Sequence, residues 1–191
     1  AGRAARGQKF YDNYVKEDIK VSVTAKSVIK IAKSFLGCKE SDGSHKKIID
    51  IYNSHKPLAR SYPVKYTDSW CDAFVSAVAI QAGAVGLIGT ECGVEEHVKI
   101  FKDKGIWIED GTTTPKKGDI IVFNWDDGTQ PNDGYSDHIG FVEKVSGGVI
   151  TTIEGNYSNA VKRREIAVGH GNIRGYARPK YAAEAEGEEG T

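Results

Sequence analysis

The stretch that decides the fold is "GVEEHVKIFKDKGIWIED", residues 93–110. It reads as a helix from about Val94 to Lys104 that Gly105 closes, and from there the apolar period changes from helical to alternating. Everything upstream follows the first pattern. "TAKSVIKIAKSFLG" (24–37) sets Val28, Ile29, Ile31, Ala32 and Phe35 near one helical face and stops at Gly37. After "SDGSH" comes a second helix, "KKIIDIYN", then a loop marked by Pro57 and Pro63, then the apolar helix of "DSWCDAFVSAVAI" (68–80). Everything downstream follows the second pattern: "IWIED", "KKGDIIVFNW", "DHIGFVEKV", "GVITTIEGN", "AVKRREIAV" and "IRGYARP" are short runs rich in Ile, Val, Thr and aromatics, with "SGG" as a tight hairpin between the third and fourth. Helices first and strands later define a segregated α+β domain, because a doubly wound parallel sheet needs the two to alternate. No internal repeat is present.

A length of 191 residues suits one domain with short extensions. Lys plus Arg and Asp plus Glu both number 26, and no basic block is interleaved with aromatics, so nucleic acid is not an expected partner. No apolar run approaches the roughly 20 residues that span a bilayer, and "AGRAARGQKFYDNYVKEDIK" (1–20) lacks the apolar centre of a signal peptide, so no membrane insertion is expected. The chain has no Met, which suggests a piece of something longer. Residues 1–23 read as an N-terminal extension, 24–181 as the folded domain, and "AAEAEGEEGT" (182–191) as an acidic linker or tail that leaves room for another module. Three cysteines, Cys38, Cys71 and Cys92, are too far apart for a Cys-x-x-Cys metal site. At least one thiol stays free, and pairing of Cys38 with Cys92 is left open.

Cys71 stands out by position. With Asp68 as N-cap, it falls in the first turn of its helix, where the positive end of the dipole favours a thiolate. Cys71, Phe74, Val75, Val78, Ala79 and Ala82 share the face turned toward the rest of the fold. A cysteine on such a face is ordinarily a small buried hydrophobe. Its company argues otherwise: a nucleophilic thiol needs a base and a group that orients the base. His138 opens a strand, and Glu154 and Asn156 end the next, where a carboxylate or amide can accept from the second ring nitrogen.

"SWCDAFVSAVA", followed by "PKKGDIIVFNW", "SDHIGFVEKV", "ITTIEGN" and "IRGYARPKY", closely resembles the CHAP domain, the cysteine- and histidine-dependent amidohydrolase/peptidase module of phage endolysins and bacterial wall hydrolases. The likeness covers roughly residues 25–181, in order. The related NlpC/P60 family usually shows Asp-Cys-Ser-Gly around its thiol and a His as third residue, so Trp-Cys-Asp-Ala-Phe and Glu-Gly-Asn favour CHAP here. The resemblance implies a papain-like α+β fold, N-terminal helices packed on a C-terminal antiparallel sheet. It implies Cys71 as nucleophile, His138 as general base, and Glu154 and Asn156 as the residues that orient the imidazole. It further implies acyl transfer on an amide bond of peptidoglycan, with the Cys71 N–H as one oxyanion donor, and action at the bacterial wall outside the cytoplasmic membrane. A non-catalytic wall-binding module of the same fold, and a cysteine peptidase acting on a soluble peptide, are the rival readings.

Trp70, Trp125 and Tyr135 are candidates for a substrate groove, the last two in or beside the polar loop "NWDDGTQPNDGYSD" (124–137). Asp126, Asp127 and Asp133 in that loop do not have EF-hand spacing, and the stretch before Cys71 is basic, so no calcium and no other cofactor is expected. His45, His55, His97 and His170 include no i, i+4 pair with a third ligand, so zinc is not expected either. Lys162, Arg163 and Arg164 read as a solvated strand face.

Overall fold

A computed structural model describes residues 22–184. The extension expected over 1–23 and the tail expected over 182–191 therefore lie outside the described residues, apart from 22–23 and 182–184. Helix α1 (Ala25–Ser34) opens on a capping box: Ser27 N–H donates to Thr24 Oγ1 at 3.1 Å and Thr24 N–H to Ser27 Oγ at 3.0 Å. It buries Val28, Ile29 and Ala32, and α2 (Lys46–Ser54) buries Ile48, Ile49 and Tyr52. A short turn at Ala59–Ser61 leads to α3 (Cys71–Gln81), then α4 (Val85–Ile88) and α5 (Val94–Asp103).

Helix α3 departs from the one-sided pattern expected of it. Every residue from Cys71 to Ala79 is buried, because α1, α2, α4 and α5 surround it while β3 and β4 lie beneath. A helix apolar all round is a central one. Its two polar interruptions find partners inside. Ser76 donates to Glu91 O at 2.6 Å and accepts from Glu91 N–H at 2.9 Å, while Asp72 meets His97.

Among the described residues the strands are β1 (Trp107–Ile108), β2 (Ile120–Phe123), β3 (His138–Ser146), β4 (Val149–Tyr157), β5 (Ala160–Ala167) and β6 (Ile173–Ala177). All pair antiparallel in the order β1-β6-β2-β3-β4-β5. The tight turn between β3 and β4 is made by Gly147 and Gly148 at φ 57° and 75°, positions where both central residues must be left-handed. One face of the sheet supplies Ile139, Phe141 and Ile153 to the core under the helices. The other carries a separate cluster of Ile121, Phe123, Val142, Ile150, Ile166, Ile173 and Tyr176.

Two close approaches fix how helix and sheet meet. A Cβ on Gly155 would lie 2.4 Å from Phe74 Cβ, so only glycine lets β4 sit this near α3. A Cβ on Gly140 would lie 2.5 Å from Glu154 Cγ, so the bare backbone of β3 makes room for that side chain.

Candidate active site

Cys71 is the first residue of α3 and His138 the first of β3, so both reactive side chains stand at element ends that the packing of α3 on β3 and β4 brings together. His138 Nε2 and Glu154 Oε1 are 2.7 Å apart. That leaves Nδ1 for the thiol. Burial pushes the imidazole toward neutrality, but the neighbouring Cys71 thiol and the hydrogen-bonded Glu154 carboxylate outweigh it and raise its pKa to about 9. The ring is thus an imidazolium at neutral pH.

Glu154 is fully buried, and burial opposes its charge. Its hydrogen bonds more than compensate and hold its pKa below the usual carboxylate value, those with His138 and Arg164 foremost. Arg164 Nε lies 2.9 Å from Oε2 and Nη2 lies 3.0 Å from Oε1, and Thr152 Oγ1 donates to Oε2. Pairing of Thr152 with Val142 and with Arg164 puts those side chains on one face, and Gly140 and Glu154 follow two residues along. The Arg164 guanidinium is stacked 4.0 Å from the Tyr157 ring and 4.8 Å from the Trp125 ring. Arg164 is therefore not the solvated residue expected of it: its side chain is 22% exposed and it braces the carboxylate behind His138. Of its neighbours, Arg163 pairs with Glu143 at 2.7 Å, and Lys162 is exposed.

Asn156 stands on the other side of the thiol. Its Nδ2 donates to Ser69 Oγ at 3.4 Å, and Ser69 Oγ is 3.9 Å from Cys71 Sγ. Its backbone is left-handed, with φ 54°. Cys71, His138, Glu154 and Asn156 thus gather in one place, with Glu154 as the carboxylate against the imidazole.

Two expectations at the start of α3 are corrected. Asp68 does not cap α3: its Oδ2 accepts from Lys65 N–H at 2.9 Å and Tyr62 OH at 2.6 Å, closing the loop before the helix. The N-cap is Trp70, with no side-chain bond, so the first N–H groups of α3 are left without a capping acceptor beside the thiol. Trp70 is not a groove residue: it is fully buried, tilted against His45 at 5.7 Å, and donates Nε1–H to Glu40 at 3.0 Å. The 124–137 loop is pinned by its own hydrogen bonds and by α5. Asn132 Nδ2 donates to Asp127 O and Gly171 O at 2.9 Å, Asn124 Nδ2 to Asn132 Oδ1 at 3.0 Å, and Ser136 N–H to Glu95 Oε2 at 2.8 Å. On this pinned loop Tyr135 is 71% exposed and Trp125 is 39% exposed, the latter stacked on Phe123.

Cys38, Cys71 and Cys92 are all free thiols. Among the described residues no three His, Cys, Asp or Glu side chains converge as a metal site requires. A buried pair lies behind the thiol. His97 Nδ1 is 2.6 Å from Asp72 Oδ1, and Nε2 is 2.9 Å from Ile88 O. Burial pushes the Asp72 carboxyl up to about 6, against the pull of His97. The Asp72 charge raises His97 above its ordinary value although burial opposes it.

Helices stacked on one face of an antiparallel sheet, with a cysteine opening the central helix and a histidine opening the adjoining strand, make a papain-like α+β fold. The chain belongs to the CHAP domain family, whose model matches residues 61–156, a span that contains Cys71, His138, Glu154 and Asn156 but ends before Arg164. The family is one of hydrolases that act on peptidoglycan. Similar solved structures include an NlpC/P60 family protein from Bacillus cereus ATCC 10987, 16% identical with a TM-score of 0.47, over 83% of this chain and 41% of that one. Ly7917 is 15% identical with a TM-score of 0.47, over 82% of this chain and 62% of that one, and a further structure of it holds the hydrolysing product of MDP. The chain spans less than two thirds of each. A search of curated proteins gives no match.

Proposed function

We propose that this chain hydrolyses an amide bond of bacterial peptidoglycan through a Cys71 thiolate, as the catalytic module of a lysin or autolysin working outside the cytoplasmic membrane. The observation that carries the reading is the relay in which Glu154, braced by Arg164, holds the His138 ring that interacts with Cys71. The thiolate attacks the carbonyl carbon, forming a C–S bond, while the proton held by His138 passes to the amine as the C–N bond breaks. Water then attacks the thioester, gives a proton to His138, and the acid leaves as the C–S bond breaks. The oxyanion is met by the uncapped N–H groups at the start of α3, the Cys71 N–H first among them. Asn156 and Ser69 keep the other side of the sulfur polar.

Digestion of purified peptidoglycans of differing cross-bridge, by this chain and by Cys71→Ala, tests this. Fragments released only by the unmodified chain, with masses that mark either the muramoyl–alanine bond or a peptide bond, are expected. Equal release by both, or binding of wall by both with no release by either, would sink the thiol mechanism.

A further inference from the structure

A cavity of about 560 Å³ opens beside the site, lined among others by Lys39, Glu40, Ser41, Ser158, Asn159 and Lys162. Its volume is that of a site for a small ligand. Two connections tie it to the thiol. Glu40 holds the indole of Trp70, the residue before Cys71, and Ser158 follows Asn156, the partner of Ser69, by two residues.

The rim is built rather than incidental. Ser158 and Asn159, at φ 48° and 64°, are the two central residues of the tight turn that joins β4 to β5, with Tyr157 paired to Ala160 across it. The turn they form is fastened to the 38–40 segment by the Lys39–Ala160 bridge, by Glu40 N–H donating to Asn159 O at 2.9 Å and by Val161 N–H donating to Cys38 O at 2.8 Å. Two lysines line this space. Lys162 pairs with Glu154 in the strand register and leans over the Tyr157 ring, 5.9 Å from its centroid, and Lys39 projects from the facing segment. The one acid in the lining, Glu40, is engaged by Trp70, and the nearby Asp42 is turned to Ser44. Serine hydroxyls and an asparagine amide complete the wall.

We propose that this cavity is a substrate subsite that takes a free carboxylate of the wall peptide. The proposal rests on the peptidoglycan reading above. Lys39 and Lys162 fix the anion, and Ser41, Ser158 and Asn159 complete its hydrogen bonds.

Calorimetry in a Cys71→Ala background reads binding without turnover. The probes are an N-acetylmuramoyl tetrapeptide with free carboxyls and the same compound with its carboxyls as primary amides. The double change Lys39→Ala/Lys162→Ala is expected to weaken binding of the free acid by about tenfold or more and to leave the amide unaffected. A control double change of equal charge at exposed sites, Lys47→Ala/Lys56→Ala, is expected to alter neither. Equal affinity for acid and amide, equal loss in both double variants, or no measurable binding of the free acid by the parent overturns the subsite. Release of wall fragments by the unmodified chain is scored separately, so loss of the subsite and loss of the hydrolase reading are distinct results.

Discussion

His138 faces the Cys71 thiol and is held from behind by a buried carboxylate, and its proton affinity follows from both. Its pKa is raised from an ordinary 6.5 to about 9, so its charged form stabilises the fold fully below pH 6.5, and that stabilisation is lost as pH rises through about 9. Leaving-group protonation has the same limit, so the basic limb of kcat/KM for fragment release is expected near pH 9. Two substitutions should move that limb in opposite directions. Glu154→Gln removes a negative charge 2.7 Å from the ring and lowers the limb, with a loss of activity on the order of a hundredfold. Arg164→Gln removes the positive charge that offsets Glu154 and raises the limb, and breaking this buried pair should cost roughly 3 kcal/mol of stability. A pH profile of each variant, with His138 titrated by NMR, checks both signs; a shift of both limbs in the same direction would show that charge on Glu154 does not control the ring.

The seating of α3 on β4 sets the distance between nucleophile and base. Gly155→Ala is expected to push the helix at Phe74, since the new Cβ needs the space that Phe74 Cβ fills. Overpacking of this kind costs roughly 1–3 kcal/mol, and a displacement of Cys71 by a fraction of an ångström should lower kcat well beyond what the lost stability explains. Thermal unfolding together with kcat on the folded fraction separates the two, and normal kcat in a destabilised variant would show that this contact does not position the thiol. From its other side α3 is held by His97 of α5. His97→Ala strands Asp72 in the core, where Oδ2 already lacks a partner, and is expected to cost about 3–5 kcal/mol by urea unfolding, against a smaller cost for Asp72→Asn/His97→Gln. These ties explain what could be read in advance. The helices before the strands, and the strands themselves, were legible, because period and turn residues are local. The second ring of contacts was not. Asp72 and Ser76 interrupt the apolar face, and only their partners from 88–97 show that they are buried. Arg164 sits in a charged run in which one residue looks like the next until Thr152 is found opposite it. Trp70 beside a thiol suggests a groove until Glu40, thirty residues earlier, is seen to hold it.

At the scale of the whole molecule, β6 lies between β1 and β2, so the last described strand is inserted next to the edge strand β1, an order that strand periodicity alone does not specify. Past β6 the chain continues toward its own beginning. Arg178 grips Asp119 with two nitrogens, Tyr181 OH donates to Gly118 O at 2.7 Å, and Ala182 N–H donates to Val23 O at 2.9 Å. Lys26 N–H donates to Glu184 Oε1 at 2.8 Å just beyond. The boundary expected at residue 181 therefore runs through a seam that joins the two ends of the described fold. Ending the chain after Pro179 removes the Tyr181 ring and both backbone-directed bonds, which should lower stability by roughly 2–4 kcal/mol. None of these contacts touches Cys71, His138 or Glu154, so kcat/KM of the folded fraction should stay unchanged. Ending the chain after Glu184 should recover the stability lost in the shorter chain, since each bond named above is then present. Comparison of the two truncations by thermal unfolding and by wall digestion decides the point: a stable but inactive chain ending at Pro179 would mean that the seam transmits to the site, whereas an unstable but fully competent one assigns it to the scaffold alone.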